Sequence, residues 1–439
     1  MENKPLVSIF WFRRDLRLAD NHGLYELLKG GVAVLPIFIF DRHILDKLDK
    51  PHDLRVQFIH QTLSEINQSL QKVGSGLKTF YSTPEEVFPK LLAEYRIKEV
   101  VANHDYEPYA KERDEKIKSI LNSSGIPFNT YKDQVIFEKT EVTKDDGLPY
   151  TVFTPYSRKW KLRLMNEPLR QYDSAALSNH FLADEPGDII PFESMGFEYK
   201  EFQFPPKFVP DVLVKSYSDN RNFPAIDGTS KLGLHLRFGT ISIRSLAQFA
   251  LGRSETYLNE LIWRDFYHMI LWNFPHVGKG KSFKKDYDEI QWRNNEEEFQ
   301  KWCMGETGYP IVDAGMRELL NTGFMHNRVR MIVASFLTKH LLIDWRWGEA
   351  WFAKHLLDFD LAANNGGWQW AAGSGCDAAP YFRVFNPALQ TEKFDKKAEY
   401  IRKWVPEFDT LRYPQPIVVH EFARKRCLDN YAKYLKKNT

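Results

Sequence analysis

Over roughly the first 135 residues, short apolar runs alternate with amphipathic stretches; beyond about residue 211, apolar runs of strand length stop. That break in pattern most constrains the fold, because a period of two and a period of 3.6 demand different layers. The apolar runs at 6–12, 32–40, 77–81, 99–103 and 129–137 read as buried strands. Between the first two, 21–28 reads as a helix closing at Gly30-Gly31. The stretch 54–73 places Phe58, Ile59, Thr62, Leu63, Ile66 and Leu70 on one helical face. Thr83-Pro84-Glu85-Glu86 opens a helix with an N-cap, a proline at the first position and a capping-box glutamate. Strand, helix, strand in repetition predicts an α/β domain with a doubly wound parallel sheet over 1–135.

Residues 136–210 change character. Prolines and phenylalanines gather without periodicity, as in FQFPPKFVPD at 202–211, and the reading is a long connector with a short basic helix at 156–164. From 211 to 439 the pattern is all-α, with helices at 255–272, 309–321, 328–342 and 348–357. At 439 residues the chain is too long for one ordinary core.

Composition excludes several classes. The formal net charge is +2, so any nucleic-acid contact must be a local patch on a balanced surface. Cys303, Cys376 and Cys427 are far apart and form no CxxC pair, which points to a reducing compartment and no metal site. The N-terminal stretch meets arginines after a short apolar run and no signal segment or membrane span is evident, so a cytoplasmic protein is expected. Neither GxGxxG nor GxxxxGK[ST] occurs, which disfavours a nucleotide-binding dehydrogenase or P-loop enzyme. Aromatic residues make up 15% of the chain, enough either for a bulky core or for a pocket holding a flat ligand.

Four stretches carry possible chemistry. Asp227-Gly-Thr-Ser-Lys-Leu-Gly233 is a small-residue turn entering a helix; it suits a diphosphate and equally an ordinary capped start. Glu260 and Arg264, four apart with Trp263 beside them, suit either a surface pair or the edge of a base. Asn327 and Arg328 follow His326 on a helix start, where no second ligand makes His326 a metal residue. Asp358 and Asp360 flank Phe359 among apolar neighbours, and buried carboxylates require a donor-rich partner, an arginine or a ligand ring. Then comes LAANNGGWQW at 361–370, with two amides, two glycines and two indoles.

Taken together and in order, WFRRDLRLADN (11–21), TSKLG (229–233), NELIWRDFY (259–267), TGYPIVDAGMREL (307–319), GFMHNRVRM (323–331), LLDFDLAANNGGWQW (356–370) and FNPALQTEKFD (385–395) resemble the photolyase/cryptochrome family. The resemblance implies an α/β antenna domain, a connector and a helical domain that binds FAD. Thr229, Ser230, Lys231, Leu232 and Gly233 match the family's FAD phosphate turn; Tyr217, Tyr257, Arg264, Asp358, Phe359 and Asp360 match further cofactor positions. Asn364 matches the amide that faces flavin N5, and Gly366-Gly367 are expected to let backbone and ring approach. Trp368, Trp345 and Trp292 match a chain of oxidisable indoles leading to the surface. Glu260, Trp263, Asn327, Arg328, Met331 and Trp370 match a pocket for a flipped pyrimidine dimer, with Arg221 and Gln390 on the DNA backbone.

The implied activity is light-driven electron transfer from reduced FAD to a cyclobutane pyrimidine dimer extruded from ultraviolet-damaged DNA. The implied form is a monomeric carbon–carbon lyase of the bacterial cytosol or nucleoid. Members of this family also include (6-4) photolyases and cryptochrome light receptors. Asn364, the MHNRVRM run and the absence of a long tail after Trp404 favour the cyclobutane-dimer branch. Gly233, Tyr257, Phe324 and Val419 depart from common family residues without touching the electron path. For the antenna, a folate, a deazaflavin, another flavin and no chromophore all remain open; NHDYEPYAKERD at 103–114 lies at a strand end, where Glu107 suits either a pterin contact or a helix cap.

Overall fold

Five parallel strands form one sheet in the order β3-β2-β1-β4-β5, in a computed structural model that describes residues 4–435. They are β1 (Leu6–Phe12), β2 (Val34–Asp41), β3 (Lys78–Ser82), β4 (Arg96–Asn103) and β5 (Phe128–Tyr131). β1 and β2 are buried almost throughout, as expected for strands covered on both faces. Val7, Ile9, Leu35, Ile37, Val100 and Ala102 pack with Val87, Phe88, Ile117 and Leu121 of the helices Pro84–Glu94 and Pro108–Asn122. Asn21 caps the helix His22–Lys29, and Thr83 with Glu86 forms the expected capping box.

β5 is shorter than the apolar pattern 129–137 suggests. After Tyr131 the chain leaves the sheet, and Asp133, Val135, Ile136 and Phe137 are buried outside it. The apolar run was a signal of burial, not of strand.

Backbone contacts divide the chain into two units: 1–138 with 164–208 and 232–249, and 139–163 with 209–231 and 250–439. The stretch 136–210, read from sequence as a connector, is thus shared between both. Its helix runs Phe153–Asn166, longer than the basic segment alone indicated. Within the first unit, the later part of this stretch lies along β3: Thr79 donates its N–H to the Asp188 carbonyl (2.9 Å), and Asp188 donates to that of Leu77 (2.9 Å).

The sheet's topology reverses between β1 and β4, and their carboxyl ends carry a polar cluster. Asn103 donates to Asp15 (2.6 Å) and Asn21 (2.8 Å) and accepts from the N–H of Gly23 (3.0 Å). Burial pushes the Asp15 carboxyl up to about 6. Burial opposes ionisation of Asp105 too, but Arg14, Arg113, Arg13 and Arg237 outweigh it and hold that acid down at about 2. Glu107 occupies the N-cap position of Pro108–Asn122 without a side-chain cap bond; its carboxylate instead meets Arg14 (2.8 Å) and Arg237 (2.5 Å). Asp133, 1% exposed, accepts from Arg17 (2.7 Å) and Arg244 (2.8 Å).

The second unit is helical. The expected helices are present as Glu255–Asn273, Pro310–Thr322, Asn327–Ser335 and Trp345–His355. The pattern 328–342 breaks after Ser335 into a wider turn, Phe336–His340, whose five residues are all buried. LAANNGGWQW is itself helical, within Leu361–Ala372. Trp302, Ile311, Met316, Val329, Leu337, Trp345 and Trp368 belong to one core cluster of this unit. Among the described residues, no helix is long and apolar enough to cross a membrane.

Asp133→Asn removes the charge shared by two buried arginines and should lower unfolding stability in urea by about 3–5 kcal/mol. Despite burial, Arg17 and Arg244 hold this acid below the ordinary carboxylate range. The stability it contributes is therefore complete above about pH 4 and lost as pH falls through its lower native value. The asparagine variant should lack that part of the acid limb.

Candidate active site

A cavity of about 420 Å³ opens in the helical unit. Three helices build most of its wall, and helical spacing decides which side chains reach it. From Glu255–Asn273, the residues at i, i+3 and i+7 line it: Glu260, Trp263 and Tyr267. From Asn327–Ser335 come Asn327, Arg328, Arg330, Met331 and Ala334. From Leu361–Ala372 come Ala363, Asn364, Gly367, Trp368 and Trp370, while Asp358, Phe359 and Asp360 precede that helix. Tyr217, Arg221, Asn222, Thr229, Phe352 and Leu356 complete the lining.

The two glycines at 366–367 do different jobs. A Cβ on Gly366 would lie 2.3 Å from the Tyr267 ring, so this glycine lets two helices touch. A Cβ on Gly367 would meet no protein atom within 4 Å and would stand in the cavity. Of the two, Gly367 lines the cavity, whereas the space beside Gly366 is filled by the Tyr267 ring. Gly348 makes a second close approach, its Cβ position lying 2.1 Å from the Trp368 ring.

The two amides also divide. Asn365 donates to the Val277 carbonyl (3.1 Å) and accepts from Gln369 (2.9 Å), a structural pairing. Asn364 donates to Glu349 twice, to Oε1 (2.9 Å) and to the backbone carbonyl (3.2 Å). Both amide hydrogens are taken, so Oδ1 is the atom left for a ligand. Burial raises the Glu349 carboxyl, and the bond from Asn364 opposes that rise.

Charges in the wall are largely paired. Arg221 meets Glu260 at 2.5 Å, and burial raises the Glu260 carboxyl against the pull of that arginine. Asp358 has its donor-rich partner in Arg330 (2.9 Å), whose Nε also donates to the Met325 carbonyl. Asp360 caps the helix Leu361–Ala372 by accepting from Ala362 (3.1 Å). Arg328 donates to Asn222 (2.7 Å) and lies over the Phe394 ring (4.4 Å). His326, whose Nδ1 accepts from the Arg328 N–H, caps its helix, and burial pushes the imidazole down to about 4.

Several expected residues lie away from the lining. Tyr257 is buried, packs edge-on to Tyr217 and donates to Ser230 (3.0 Å), holding the 229–231 turn. Lys231 pairs with Asp227 (2.9 Å). Leu232 and Gly233 begin a short helix grouped with the first unit. Arg264 sits on Glu255–Asn273 outside the cavity lining, and Gln390 lies half-buried on Pro387–Phe394. Trp345 shares the buried core cluster with Trp368, and Trp292 packs against it. The ring neighbours of Trp368 include Phe352 (5.0 Å) and Trp302 (6.1 Å).

Sequence reasoning missed Tyr267, Asn222, Arg330, Glu349, Phe352 and Leu356. Tyr267 was within reach, seven residues after Glu260 on one face. Glu349 had no local signal, because its role comes from a partner fifteen residues away on the next helix.

Residues 257–412 match the family model described as the FAD binding domain of DNA photolyase, and residues 8–174 match that of DNA photolyase. The deoxyribodipyrimidine photo-lyase of Synechococcus sp. is 37% identical, over 95% of this chain and 95% of that protein. The chain belongs to the DNA photolyase family. A class III photolyase from Agrobacterium tumefaciens superposes with a TM-score of 0.86 at 34% identity, covering 99% of this chain and 98% of that one. An archaeal photolyase from Sulfolobus tokodaii, solved with two FAD molecules, gives 0.81 at 34%, over 97% and 100%.

Membership makes this an FAD-dependent photolyase, and the cavity fits the cofactor chemically. Gly367 leaves one wall bare beside the aromatic rings of Phe352, Phe359 and Trp368. The buried Trp368 Nε1 has no hydrogen-bond partner among the described residues, so an acceptor on the cofactor would satisfy it.

Gly367→Ala should fold as the parent does, since alanine is the better helix former, yet retain at least about tenfold less FAD. Gly366→Ala should instead lower the melting temperature by driving Tyr267 out of place. Flavin absorbance and thermal unfolding of the two purified variants separate these outcomes.

Proposed function

We propose that this photolyase splits cyclobutane pyrimidine dimers in ultraviolet-damaged DNA under light. The observation that carries the proposal is one shared cavity. Trp263, Trp370 and Glu260 line the same space as Asn364, Gly367 and Trp368, so a flipped dimer and a flavin would be near neighbours. Reduced FAD, when bound, would supply on light absorption the electron that opens the cyclobutane ring and would take it back once both carbon–carbon bonds of that ring have broken, so that the repair involves no net oxidation or reduction.

The protein's part is binding, orientation and exclusion of water. Indole faces of Trp263 and Trp370 stack on the two pyrimidines. Glu260 in its protonated form would donate a hydrogen bond to a carbonyl edge as negative charge arrives on the dimer; burial favours that form, and Arg221 opposes it. Asn327, Arg328 and Met331 shape the rest of the dimer pocket. Arg221 and Gln390 take DNA phosphates, giving salt-dependent and sequence-independent affinity. Thr229, Ser230, Lys231, Leu232 and Gly233 would hold the cofactor diphosphate, and Tyr217, Tyr257, Arg264, Asp358, Phe359 and Asp360 would supply its further contacts. Asn364 would offer Oδ1 to the flavin ring, because Glu349 occupies its N–H groups. Trp368, Trp345 and Trp292 would pass electrons inward in turn, from an external reductant at the surface to an oxidised cofactor.

The test is chemically reduced protein mixed with an oligonucleotide bearing a single cyclobutane thymine dimer, illuminated with blue light against a dark control. Recovery of thymine absorbance in the light alone is expected. No recovery with reduced FAD bound would favour (6-4) repair or a receptor role. Glu260→Ala should keep its FAD and split fewer dimers per absorbed photon than the parent; an unchanged yield would remove Glu260 from the mechanism. Trp292→Phe should abolish light-driven reduction of the cofactor, while the chemically reduced variant repairs at the parental rate.

A further inference from the structure

Trp263 has two faces, and its surroundings differ on each. The indole borders the cavity, whereas the Phe153 ring stacked on it lies outside the lining. The two ring centroids are 3.7 Å apart and the planes differ by 4°. Free aromatic pairs favour offset or edge-on contacts with centroids farther apart, so a near-parallel overlap of this kind is imposed by the elements that carry the rings.

Those elements are well tethered. Phe153 is the first residue of the helix Phe153–Asn166, and its N–H donates to Asp377 Oδ2 (3.1 Å). One turn on, the fully buried Tyr156 packs against Phe266 at 5.1 Å. Farther along, Trp160 Nε1 donates to Asp265 Oδ2 at 2.9 Å. Phe266 and Asp265 sit on the same helix as Trp263, within three residues of it. The start of one helix is thereby pinned along the other, with a phenyl ring stacked on the indole, which also meets Tyr267 (5.4 Å) and, edge-on, Phe266 (5.6 Å).

We infer that Phe153 is a positioning residue that holds the indole of Trp263 in its base-stacking orientation before DNA arrives. The inference rests on the proposed role of Trp263 in stacking on the dimer. An indole already immobilised loses little side-chain freedom on binding, so Phe153 acts on affinity and not on ring splitting.

Phe153→Leu keeps the apolar volume but removes the flat backing. Its FAD content should match the parent, its Kd for dimer-containing DNA should rise about five- to tenfold, and dimers split per photon at saturating DNA should be unchanged. Phe153→Tyr should restore the affinity. In a Trp263→Leu background, Phe153→Leu should add no further loss, because its effect passes through the indole. Parental affinity in Phe153→Leu, additive losses in the double variant, or loss of FAD from Phe153→Leu would each overturn the inference. Failure of the parent to bind dimer DNA, or of Trp263→Leu to weaken binding, would instead overturn the reading of the site itself.

Discussion

The helical unit depends on two places where glycine lets a ring lie against a backbone. Gly366 receives Tyr267 and Gly348 receives Trp368. Together they draw the helices Glu255–Asn273, Trp345–His355 and Leu361–Ala372 to contact distance. Without that approach, Glu260 and Trp263 would not face the same space as Asn364, and Glu349 would not reach the Asn364 amide. The cavity is the volume left where such close packing is withheld, at Gly367.

Polar groups around the cavity show how a buried site tolerates charge. Its acids and bases occur as partners, Glu260 with Arg221 and Asp358 with Arg330, or serve the backbone, as Asp360 does at a helix start. Pairing leaves the net field small while keeping directional donors and acceptors in place.

Much of this was legible in the sequence, for reasons that differ by element. β1 and β2 were plain because strands covered on both faces must be continuously apolar. The five-strand topology followed from alternation, and the cavity-lining residues Glu260, Trp263, Asn327, Arg328 and Met331 followed from ordered motifs. Legibility failed where burial and secondary structure part company, as at Val135–Ile136–Phe137, and where an apolar period runs through a change of helix type at Phe336–His340. It failed again at Glu349, whose role is set by a neighbour on another helix. Asp358 and Asp360 were correctly marked as carboxylates needing donors, though each already has a protein partner.

The bonds between Asp188 and β3 have a consequence for the protein in a crowded solution. β3 is an outer strand, and an outer strand with free N–H and C=O groups is a template on which another chain can add. Here the chain's own later segment fills part of that edge, and at the opposite border β5 is only four residues long. A sheet with one border occupied and the other cut short offers little purchase for edge-to-edge aggregation, even though its central strands are among the most apolar segments of the sequence.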